Sequence, residues 1–303
     1  MTEPQTDTTD ESSPPPGAAL LSTGRRIFAE SRLALLGLAI TLGVVVTAIL
    51  APVVAPYDPT AQNIAEAQLL APSLTHPMGT DQLGRDVFSR VLYGAQLSLQ
   101  VGLIAVGVAI AAGVPLGLIA GFYGGYIDET VMRSMDVLFS FPAILLAIAM
   151  VAILGQSTLN VMLAIGITYT PIFARVTRSG VLSVREETFV DAARAIGDTN
   201  RSIIARDILP NVVAPIIVQA TVSLAFAILA ESALSFLGLG TPPPDPSWGR
   251  MLSNSRNFLQ TAPWTAVFPG LAIMITILGF NFLGDGLRDT LDPQNETEEG
   301  GSI

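Results

Sequence analysis

Six long apolar runs constrain this chain more than any other feature: residues 33–54, 97–120, 135–154, 159–174, 212–237 and 267–283. About 20 apolar residues in a helix cross the ~30 Å hydrocarbon layer of a bilayer. Within lipid each backbone polar group has to be satisfied inside its own helix or in a closed barrel. Runs of this length therefore predict an all-α integral membrane protein with six transmembrane helices. The charged fraction agrees, at 13% of 303 residues, roughly half that of a soluble domain.

Between the fourth and fifth runs lies a polar stretch, residues 183–210, SVREETFVDAARAIGDTNRSIIARDILP. Ser183 and Glu186 have capping-box spacing, which predicts a helix start there. Phe189, Ala192, Ala193 and Ile196 recur at i, i+3, i+4 and i+7, one apolar and small-sided stripe. Gly197 suits a left-handed helix end, Asp198 or Asn200 suits the next cap, and the second helix is expected to end near Pro210. A water-side helix pair with an apolar stripe and no lipid to bury it in needs another protein to dock against.

Orientation follows from arginine, the only basic residue type present apart from one histidine. With the N-terminus inside, the inner segments hold Arg25, Arg26, Arg32, Arg133, Arg175, Arg178, Arg185, Arg194, Arg201, Arg206 and Arg288, and the outer ones only Arg85, Arg90, Arg250 and Arg256. Eleven against four predicts cytoplasmic termini and a cytoplasmic 183–210 stretch. The expected organisation is a disordered polar tail at 1–24, a first span with an external segment over 25–96, a core transmembrane domain over 97–290 containing 183–210, and a disordered acidic tail at 291–303. Much of the net charge of −10 sits in those tails, and its sign argues against nucleic-acid binding.

The remaining candidates carry two readings each. Asp136, Glu231, Asn281 and Asp285 lie in or near apolar runs, where ionisable and strongly polar groups are costly and either pack helices or line a translocation path. Asp81, Arg85 and Asp86, among glycines of the external segment, make either a satisfied turn or a contact for a docking protein. The single histidine, His76, is expected in a solvated loop, and no metal site is expected. Trp248 and Trp264 are expected at the membrane interface. Gly113, Gly117 and Gly121 form a small-residue face for close helix packing, with a kink expected at Pro115. There is no cysteine and no lysine, so a phosphate-clamping P-loop cannot exist here. Energy from ATP would have to arrive from another chain. A stand-alone secondary transporter would need embedded charged relays and no exposed docking helix. An intramembrane enzyme would need His pairs, cysteines or clustered acids.

DAARAIG followed by ILPN resembles the EAA motif of ABC-transporter permeases, the loop that in that family docks into a groove on the ATPase subunit. Asp191, Ala192, Ala193 and Gly197 match its Glu-Ala-Ala and Gly positions, and Leu209 and Pro210 its closing Leu-Pro. Asp191 replaces the usual Glu, and Asp207 stands where many members carry Ile. HPMGTDQLGRDVFSRVLYGAQLSL, FYGGYIDETVMRSMDVLFSFP, ESALSFLGLG with PSWG, and FNFLGDGLRDTLDP resemble the C-type permeases of the dipeptide, oligopeptide and nickel importer branch. The resemblance covers about residues 25–293. It implies a type I ABC importer permease fold in the plasma membrane, with a coupling loop carried by Phe189, Asp191, Ala192, Ala193, Ile196, Gly197, Leu209 and Pro210. It also implies a second homologous permease, two ABC ATPase subunits holding ATP and Mg, an extracytoplasmic substrate-binding protein, and no cofactor or bond chemistry on this chain. Short peptides are the expected substrate; nickel or another small solute is the alternative.

Overall fold

A computed structural model describes residues 32–291; the expected tails, apart from Leu291, lie outside them. Among the described residues the structure is helical, with no strand. The long helices are α1 (Arg32–Val54), α3 (Val87–Tyr123), α6 (Thr158–Val184), α9 (Leu209–Phe236) and α11 (Trp264–Leu291). Short α2 (Ile64–Ala67) lies in the segment between α1 and α3. The third run is not one rod. It is α4 (Gly125–Phe139) and α5 (Ala143–Leu154), bent by 87° at Ser140–Pro142. Pro142 has no N–H to continue the helix and disfavours a helical residue before it. Among the described residues, five helices are thus long and apolar enough to cross a membrane, and the bent pair makes up to six.

Glycine sets how closely the central helices approach. Gly113, Gly117 and Gly121 of α3 lie against α6, where an added Cβ would stand 2.5 Å from the Thr170 carbonyl oxygen, 2.4 Å from that of Ala174 and 2.7 Å from the Val181 side chain. The small-residue face therefore has its partner. Helix α3 continues through Pro115. Helix α9 packs on α3, α6 and α11, while α1 pairs with α11. On α1, Leu42, Ile49 and Val53 are exposed, as lipid-facing positions should be.

Helices outrun their apolar runs at both ends of the core. α3 begins at Val87, ten residues before Leu97, because Asp86 caps it by accepting from the Ser89 amide at 2.7 Å. α6 runs to Val184, past the apolar residues 159–174, with Val181 buried against α3. Packing on protein, not lipid, sustains those turns.

Candidate functional site

The first two residues of the polar stretch, Ser183 and Val184, still belong to α6. Arg185 caps α6, and its Nη1 donates to the Gly121 carbonyl at 2.8 Å, pinning the turn to the end of α3. The expected Ser183–Glu186 capping box does not form. Ser183 is still inside α6, and the Glu186 amide donates to the Ser183 carbonyl at 3.4 Å. The next helix, α7 (Thr188–Ala195), starts from an extended Glu187 with no side-chain cap.

The apolar stripe on α7 is divided. Val190 is fully buried and Ala193 nearly so, in one core cluster with Ile203 and Ile208. Phe189 is 43% and Ile196 82% exposed, and Ala192 is exposed between them. Ala193 thus seals α7 to its own chain, while Phe189, Ala192 and Ile196, at i, i+3 and i+7, face outward. Asp191 pairs with Arg194 at 3.0 Å. Exposed pairs of this kind contribute about 0–1 kcal/mol, and the Asp191 side chain stays open to solvent. The Arg194 guanidinium stands 5.8 Å from the Phe122 ring centre, tying α7 to the end of α3.

Gly197 has φ +89°, as its position in the sequence requires. Its amide donates to the Arg194 carbonyl and that of Asp198 to the Ala193 carbonyl, each at 3.1 Å. This is a Schellman ending, which satisfies carbonyls the helix leaves free. The next helix, α8 (Asn200–Ser202), is capped by Thr199, whose hydroxyl accepts from the Ser202 amide at 3.3 Å. Neither Asp198 nor Asn200 supplies that cap. Nor does the helix end near Pro210. A π turn, Ile203–Ile208, carries α8 into α9, with the Leu209 amide donating to the Ile204 carbonyl. The wider turn absorbs the donor that Pro210 lacks, and Asn211 Nδ2 adds a bond to the Asp207 carbonyl at 2.6 Å. Leu209 is half-buried and Pro210 exposed.

The segment between α1 and α3 is folded inward. Asp81, Arg85 and Asp86 are 7%, 5% and 2% exposed. Asp81 accepts from the Leu83 and Arg85 amides and from Arg85 Nε at 2.7 Å. Asp86 caps α3 and takes His76 Nδ1 at 2.8 Å. His76 is therefore only partly solvated: its ring packs on Tyr57 with centres 4.8 Å apart. The described residues contain no cluster of three or more His, Cys, Asp or Glu fit for a metal. Trp264 Nε1 donates to the Thr80 carbonyl at 3.1 Å. Trp248 is 2% exposed and donates to the Val91 carbonyl at 3.0 Å. Trp248 is thus a core residue of helix α10 (Trp248–Ser255), not an interface anchor.

The four polar candidates of the apolar runs do not converge. Asp136, on α4, bonds Arg175 of α6 at 2.6 Å with both side chains partly open, and that guanidinium covers the Phe139 ring at 4.2 Å. Glu231 is wholly buried at the far end of α9. Asn281 is half-buried and Asp285 exposed along α11. Sequence reasoning missed Val190, Thr199 and Ser247. Thr199 alone left a usable signal, since Thr is a preferred cap and only its neighbours were weighed.

Long apolar helices, a bent helix pair and an exposed short helix with an apolar outer edge define a multi-pass membrane protein. The profile described as "Binding-protein-dependent transport system inner membrane component" matches residues 113–296. That described as "N-terminal TM domain of oligopeptide transport permease C" matches 20–72. The dipeptide transport system permease protein DppC of Alkalihalophilus pseudofirmus is 50% identical over 292 residues, 95% of this chain and 96% of the relative. The glutathione transport system permease protein GsiD of Escherichia coli is 48% identical over 271 residues, 89% of each chain. An inward-facing structure of the MetNI methionine ABC transporter matches with TM-score 0.55 at 19% identity, covering 66% of this chain and 96% of that one. That likeness concerns the fold alone. The chain belongs to the family of binding-protein-dependent transport system inner membrane components. Membership implies ATPase and substrate-binding partners in general, and a transport role rather than an enzymatic one.

Proposed function

We propose that this chain is the C-type permease of an importer for short peptides, with residues 183–210 as its coupling loop. Dipeptide and glutathione permeases among its relatives support a peptide substrate over nickel or another small solute. The observation that carries the coupling role is the outward edge of α7. Phe189, Ala192 and Ile196 stay exposed on a helix whose inner edge, Val190 and Ala193, is already buried. An apolar edge held rigidly in this way is what a groove on an ATPase subunit needs, and the small Ala192 lets the two surfaces approach closely. Leu209 and Pro210 shape the helix that continues from it.

In this reading the termini and α7 are cytoplasmic, a second homologous permease completes the path, and two ATPase subunits sit below, one on α7. ATP and Mg are held by those subunits and not by this chain. An extracytoplasmic binding protein delivers peptide to the outer segments, resting on the turn that Asp81, Arg85 and Asp86 hold together. Asp136, whose open ion pair calls for water, stands at the inner mouth of the path. ATP-driven approach of the ATPases shifts the permeases between outward and inward access.

Ala192→Arg tests the docking role. The long cation should abolish co-purification of the ATPase subunit while the permease still inserts in the membrane at the wild-type level. Retained association would place the docking surface elsewhere.

A further inference from the structure

Two sequence motifs outside the coupling loop, ESALSFLGLG and PSWG, meet in one buried joint. Glu231 is 0% exposed. Its Oε1 accepts from Ser235 Oγ at 2.6 Å and from Ser247 Oγ at 2.9 Å. Ser235 lies on α9 itself, so the bond from Ser247 is the one that crosses between elements. Ser247 immediately precedes α10. Beside it Gly249 lies flush on α9, where a Cβ would stand 2.0 Å from the Ser232 carbonyl oxygen. Trp248, between them, is bonded to Val91 of α3 and covers Gly94, which has room for no side chain beneath the indole.

The other end of the same helix is the coupling stretch. α8, the π turn and α9 form one continuous helix of 37 residues, Asn200–Phe236, about 55 Å long at ~1.5 Å per residue. Ile203 and Ile208 at its start belong to the core that buries Val190 and Ala193 of α7. A carboxylic side chain buried in a span is costly, and an apolar residue of similar size would pack there at lower cost. What the carboxyl adds is an acceptor that reaches Ser247.

We infer that Glu231 is a positioning residue that locks α10, and through Trp248 the outer end of α3, to α9, so that displacement at the coupling stretch reaches the outer face. The inference rests on the coupling role proposed for residues 183–210. Coupling between distant sites is typically worth a factor of about 5–150.

The test uses the complete transporter in proteoliposomes, with its ATPase subunits, partner permease and binding protein. ATPase activity is read with and without peptide-loaded binding protein. Glu231→Leu should leave basal ATPase activity and subunit assembly unchanged and lower the stimulation by the binding protein about fivefold or more. Glu231→Gln, whose amide oxygen still accepts from both serines, should restore it. Ser247→Ala should lower it without touching Glu231, and it carries the test if Glu231→Leu fails to assemble. Full stimulation in Glu231→Leu or in Ser247→Ala would overturn the inference, as would equal loss in Glu231→Gln. Absence of stimulation in the wild type would instead overturn the importer reading itself.

Discussion

At the residue scale, Gly197 separates conformational demand from steric demand. An added Cβ would meet nothing within 4 Å, yet φ is +89°. A β-branched residue in that region is strained by roughly 1–2 kcal/mol, whereas Asn tolerates it. Gly197→Val should therefore loosen the turn between α7 and α8 and lower peptide uptake and stimulated ATPase activity, with insertion unchanged. Gly197→Asn should keep most of both. Equal activity in Gly197→Val and wild type would show that α7 needs no fixed ending. Gly197 was legible in the sequence because helix endings have strong local chemistry. The division of the α7 stripe was not: a stripe at i, i+3, i+4 and i+7 is wide enough for its own chain to take one edge and a partner the other. His76 sits in a loop as expected but is only partly solvated, since Asp86 and Tyr57, which hold it, are distant in sequence.

At the element scale, the close approach of α3 and α6 constrains the core at three successive glycines. Gly117→Leu would drive side-chain atoms into the Ala174 carbonyl, 2.4 Å from the Cβ position. Overpacking of this kind costs typically 1–3 kcal/mol, so the detergent-solubilised protein should unfold at a lower temperature. The exposed Gly43, whose Cβ position meets nothing within 4 Å, should accept Leu without change. Equal unfolding temperatures for the two variants would contradict the packing described. Helix existence was legible from the apolar runs, but helix ends were not. Hydropathy reports contact with lipid, and the turns at 87–96 and 175–184 are held by protein. Pro210 reads as a helix end only while the π turn that accommodates it is unknown.

At the scale of the whole molecule, α7, the continuous helix from Asn200 to Phe236 and α10 form a line from the proposed ATPase side to the proposed outer face. Coupling as proposed requires α7 to present Phe189, Ala192 and Ile196 to another protein while Val190 and Ala193 stay inside. The chain contains no cysteine, so single cysteines can be placed without background. The most direct measurement is crosslinking in native membranes between the ATPase subunit and Ile196→Cys, with Val190→Cys as the inward control. Ile196→Cys is expected to give a strong adduct, diminished when ATPase docking is blocked by Ala192→Arg, and Val190→Cys none. An adduct from Val190→Cys alone, or from neither position in an assembled transporter, would contradict the proposed coupling.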